Sequence, residues 1–93
     1  MNLRKLAQGQ PCMVRSSVCN WNPETTVLAH IRRANIAGMG QKPVDICAVW
    51  ACSACHDLID GRVRGNEALE PLILDGLLRT LDALVKGGYL GVK

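Results

Sequence analysis

The segment Cys52-Ser53-Ala54-Cys55-His56-Asp57 places two thiols and an imidazole within five residues. A redox Cys-x-x-Cys needs a βαβ context, and the flanking residues do not provide one. A cysteine nucleophile needs its base held by a much larger scaffold. A zinc knuckle needs less: a tight turn aims both sulfurs at one ion, and two further ligands complete a tetrahedron. Cys12 and Cys19 can supply them, although the six residues between them exceed the usual two to four. Cys47 and the histidines, His30 and His56, compete for those places. The plain alternative reads Cys12 and Cys19 as small buried hydrophobes.

The need for such a brace follows from composition. Ninety-three residues bound one domain, 1–93. Phe is absent, and two Trp and one Tyr are the only aromatics, so large core fillers are scarce. Hydrophobic residues still make up 48% of the chain, which excludes a disordered tail. A structural metal can add roughly 10–16 kcal/mol of apparent folding free energy to so small a core. Five cysteines are an odd number, and the start, MNLRKLAQGQPC, has no apolar stretch of the secretory kind. No apolar run approaches a membrane span. These features lead us to expect a cytoplasmic protein with reduced thiols, where clustered cysteines favour metal or catalysis over disulfides. The net charge of +3 suits a nucleic-acid partner without requiring one.

Residues 1–24 carry Gly9, Pro11 and Pro23 without sustained periodicity and read as loop. The run 25–31 is β-branched and short, a strand carrying His30, and 46–51 is a second strand. The stretch between them, with Gly38, Gly40 and Pro43, reads as loop. A short helix from Ser53, its cap, to Gly61 would hold His56, with Asp60 four residues on along the same face. Leu69, Leu72, Ile73, Leu77, Leu81, Leu84 and Val85 recur at helical steps and predict a C-terminal helix over about 67–86, capped by Asn66. A core-packing role is the favoured reading of that helix; a homodimer through it is the lesser alternative.

The resulting order is thiol pair, strand with histidine, loop, strand, Cys-x-x-Cys-His, helix. It resembles the HNH endonucleases, whose ββα-metal motif is often braced by zinc between two cysteine pairs. The segment Cys47 to His56 matches the end of that pattern in register at Cys52, Cys55 and His56. Leu28-Ala29-His30-Ile31-Arg32 matches the strand histidine. The likeness covers 12–62, and the whole chain is similar to the small YbcO-like nucleases of lambdoid prophages. Two positions depart from the pattern. Ala29 stands where the family has an acidic metal ligand, and Cys47 where it has the middle Asn. Asn35, Asp45, Asp57 and Asp60 are the residues that can substitute.

The resemblance implies a small α+β, treble-clef-like ββα-metal (HNH) domain with an added C-terminal helix. It implies a structural Zn²⁺ on Cys12, Cys19, Cys52 and Cys55. It implies a hydrolase that cuts DNA phosphodiesters with His30 as general base. His56, with Asp60, would hold Mg²⁺ or another divalent ion, and Arg32, Arg33 and Arg62 would contact nucleic acid. The alternative is a non-catalytic zinc-stabilised module that binds DNA or protein.

Overall fold

The computed structural model of the chain describes residues 2–31, 44–61 and 68–90, which form an α+β structure. The N-terminal region, expected as loop, opens with a short helix, α1 (Leu3–Ala7). Asn2 caps it: Oδ1 accepts the amides of Arg4 and Lys5 at 3.1 and 3.2 Å. Five residues cannot hold a helix alone in water. Packing fixes it, because Ala7 is buried in a cluster with Met13, Trp50 and Leu84. A long connection follows, carrying Cys12 and Cys19, and ends in a 3-10 turn, Pro23–Thr25, capped by Asn22.

Strand β1 (Val27–His30) pairs antiparallel with β2 (Ala48–Ala51). Val27 faces Ala51 and His30 faces Ala48. The strands are shorter than the sequence runs, but the Ile31 amide donates to the Cys47 carbonyl at 2.9 Å and carries the ladder one step further. Alternation sorts the side chains. Ala29, Val49 and Ala51 belong to a core cluster built around Cys12, Cys52 and Cys55, while Trp50 and Leu28 join the cluster under α1.

The same ladder turns the Trp50 amide and carbonyl outward from β1. Thr80 Oγ1 accepts that amide at 3.1 Å, and the Met13 amide donates to that carbonyl at 2.8 Å. The outer edge of β2 is thereby closed, and all four of its residues are buried.

Helix α2 (Ser53–Ile59) starts one residue earlier than its expected cap allows: Cys52 is the N-cap, its Sγ accepting the Cys55 amide at 3.4 Å. Gly61, at φ +80°, follows its end. Helix α3 (Leu69–Lys86) begins at Leu69, with Pro71 in its first turn, where a missing N–H costs no helical bond. Ala68 occupies the cap without a side-chain bond; the expected cap, Asn66, lies outside the described residues. α3 approaches the cysteine-bearing connection so closely that a Cβ at Gly76 would meet Val14 Cγ2 at 3.3 Å and the Met13 carbonyl oxygen at 3.4 Å. Among the described residues, no helix is long and apolar enough to cross a membrane.

Candidate functional site

Four of the five cysteines converge. The Sγ atoms of Cys12, Cys19, Cys52 and Cys55 all lie within 4.8 Å of one another. Cys12, Cys52 and Cys55 are buried and Cys19 is half-buried. Cys52 and Cys55 come from the β2–α2 junction and the first turn of α2. Cys12 is fixed by its neighbour Met13, whose amide is tied to β2. Cys19 closes a turn through its amide to the Ser16 carbonyl at 3.1 Å. Ser16 is itself buried, with Oγ 3.1 Å from Cys55 Sγ.

This spacing suits an ion rather than a disulfide. Four thiolates around tetrahedral zinc, each about 2.3 Å from it, stand about 3.8 Å apart, whereas a disulfide needs about 2.05 Å. Cys19 and Cys52 have their sulfurs 3.8 Å apart. The four thiols can therefore hold a metal ion such as zinc. Cys47, expected outside the group and buried in the second strand, is outside it but half-buried, just ahead of β2.

The thiols differ in acidity. Burial pushes Cys55 up to about 11 and Cys19 well above the usual thiol range, the Trp21 amide working against the rise at Cys19. Burial opposes ionisation at Cys52 too. There the backbone amides of Cys55 and Asn20, with the neighbouring thiols, overcome it and bring Cys52 down to about 7. Cys52 thus ionises most readily of these three, and a metal binding here would displace protons from Cys19 and Cys55.

The far end of the hairpin carries a different arrangement. His30, the last residue of β1, has Nε2 2.8 Å from Asp45 Oδ1, and its side chain is 9% exposed. Arg4 of α1 brings Nε to 3.6 Å from the same oxygen. The His30 hydrogen bond, then the Arg4 charge, holds the Asp45 carboxyl below its usual range. An ionised Asp45 can only accept, so Nε2 is the donor of this bond. His56, in the first turn of α2, has its own carboxylate: Nε2 lies 3.1 Å from Asp60 Oδ2, four residues along the helix.

The structure therefore joins Cys12, Cys19, Cys52 and Cys55, joins His30 to Asp45, and joins His56 to Asp60. Ala29 is fully buried against the thiol cluster. Arg32, Arg33, Asn35 and Arg62 lie outside the described residues. Sequence reasoning missed Arg4 and Ser16. The Asn2 cap ahead of Leu3, Leu6 and Ala7 was the available sign that Arg4 sits on a helix; nothing local marked Ser16.

The comparisons with known proteins agree with one another. The family model described as "Putative nuclease YbcO" matches residues 1–89. Curated proteins of that name from Escherichia coli K12 and from Enterobacteria phage 82 are each 48% identical over 92 residues, 96% of this chain and 96% of theirs. A solved structure titled "Structure of a putative bacteriophage protein" from Escherichia coli K-12 is 44% identical, with a TM-score of 0.77 over 94% of this chain and all of that one. With matches of this extent at both sequence and structure level, the chain belongs to the YbcO family.

Proposed function

We propose that the chain is a metal-dependent endonuclease of the HNH type that hydrolyses phosphodiester bonds in DNA. The observation that carries this reading is the His30–Asp45 pair at 2.8 Å. A strand histidine whose Nε2 is fixed by a carboxylate offers Nδ1 as a base, and Asp45 also stabilises the imidazolium once it forms. The relatives' names support a nuclease, and the order β1, β2, α2 with a thiol cluster at the strand–helix junction is compatible with a treble-clef-like ββα domain.

In this mechanism His30 takes a proton from the attacking water. Asp45 and Arg4 keep the ring oriented. His56 and Asp60 would hold a divalent ion such as Mg²⁺, which would supply positive charge to stabilise the phosphate in the transition state. Arg32, Arg33 and Arg62 neutralise flanking phosphates. Cys12, Cys19, Cys52 and Cys55 would hold Zn²⁺ in a structural role only, because four protein thiolates would leave no open position.

One observation favours the second reading, a non-catalytic zinc-braced module that binds DNA or protein. The position of the family's acidic ligand is Ala29, which is 0% exposed within the core. Cleavage of supercoiled plasmid with Mg²⁺, Mn²⁺ or Ni²⁺ separates the two. Nicking or linearisation by the purified protein is expected; intact plasmid with all three ions leaves the binding module.

A further inference from the structure

Among the described residues, two that are not glycine have positive φ: Arg15 and Trp21, both at 57°. Gly and Asn occupy this left-handed region easily, whereas Arg and Trp do so at a conformational cost. Both residues ride on the connection that the thiol cluster clamps. Arg15 lies between Cys12 and Cys19, and Trp21 is two residues past Cys19. Both side chains are exposed, Trp21 at 65%. Yet the core is short of aromatics and contains only Trp50 of the three.

Polar bonds pin the turn that presents Trp21. The Asn22 amide donates to Asn20 Oδ1 at 2.9 Å. Asn20 Nδ2 donates to Thr25 Oγ1 at 3.2 Å and to Ser53 Oγ at 3.1 Å, and the Ser53 amide donates to Thr25 Oγ1 at 3.2 Å. Arg15 Nε donates to the Cys12 carbonyl at 3.3 Å. A turn of this shape would form more easily with Gly or Asn at position 21. The indole adds little to the core, because most of it faces solvent. Strain retained by a rigid surround is a mark of binding surfaces.

We propose that Arg15 and Trp21 form a contact for single-stranded nucleic acid, Trp21 stacking on an unpaired base and Arg15 meeting a flanking phosphate. An indole face accepts any base, and a guanidinium pairs with phosphate oxygens. This contact rests on the nucleic-acid reading above but uses residues outside its catalytic set.

Intrinsic fluorescence tests it, since Trp50 is 3% exposed and quenching reports Trp21. The protein is titrated without added divalent ion against oligothymidylate, oligouridylate and a blunt DNA duplex. Single strands should quench and duplex should quench less; the two oligonucleotides show whether the sugar is read. In the Trp21 variants, which lack that reporter, affinity is read from the anisotropy of a labelled oligothymidylate: Trp21→Phe should retain most of it and Trp21→Ala should lose about tenfold. Arg15→Gln should reduce the log–log salt slope by about 0.7. Trp21→Asn relieves the backbone cost, so it should melt at or above the wild-type temperature and bind as weakly as Trp21→Ala. Wild-type binding with unaffected Trp21 variants overturns this contact and leaves the nuclease reading standing. A Trp21→Asn protein that unfolds also overturns it, by showing the ring to be structural. A wild-type protein that binds no nucleic acid overturns both.

Discussion

The two ends of the hairpin are built from opposite materials. At the Val27–Ala51 end, four thiols from three segments pack together, mostly buried, beside Ala29, Val49 and Ala51. At the His30–Ala48 end, an arginine, an aspartate and a histidine form a polar chain in which Asp45 and Arg4 stay open to solvent. Buried thiols with one low-pKa member suit a closed ion site that ties distant segments together. An imidazole with Nε2 held by a carboxylate is an arrangement that suits proton transfer at its other nitrogen. On the proposed reading one end holds the fold and the other does the chemistry, so each should break without the other.

The largest effect is expected at the thiol end. Cys52→Ser removes a sulfur of the cluster but leaves an oxygen acceptor at the N-cap of α2, where Ser is a preferred residue, so the loss reports the cluster itself. If the cluster holds zinc, the loss is on the order of 10 kcal/mol of apparent stability. The variant should be unfolded or aggregated by circular dichroism, with metal content near zero. A Cys52→Ser protein melting like wild type would mean that the small core suffices unaided.

Between the two ends, Thr80→Val probes the edge of β2. It strands the buried Trp50 amide, which has Thr80 Oγ1 as its partner, at a cost of about 1–3 kcal/mol. Chemical denaturation should show that loss with metal content unchanged. An undiminished midpoint would mean that α3 supports the strand by packing alone.

The smallest effect belongs to the polar end. Asp45 has a lowered folded pKa, caused by His30 and then Arg4, so its contribution is present above the ordinary carboxylate pKa. It is lost as pH falls through the depressed folded value. The stability gap between wild type and Asp45→Asn should therefore be full at neutral pH and close below about pH 4. A gap that widens on acidification would reverse the assigned sign.

How much of this could be read from the sequence depended on distance along the chain. Helices α2 and α3 and both strands were legible because periodicity and stop residues are local. The pair Cys52 and Cys55 was legible from spacing. The approach of Cys12 and Cys19 to it was an expectation that only tertiary packing could fulfil, through the Met13–Trp50 bond. Helix α1 was passed over because its five residues are too few for periodicity to show. The pairing of His30 with Asp45, one of the four residues named as able to substitute, spans fifteen residues and was invisible. So was Cys52 replacing Ser53 as cap, since a thiol is an uncommon acceptor there.

The separation of the two ends is tested most directly by the plasmid-cleavage rate of His30→Ala at metal content and melting temperature matched to wild type. Cleavage should fall about 10²–10⁴-fold, the usual worth of a positioned general base. Cleavage at the wild-type rate by a folded, metal-replete His30→Ala protein would contradict it.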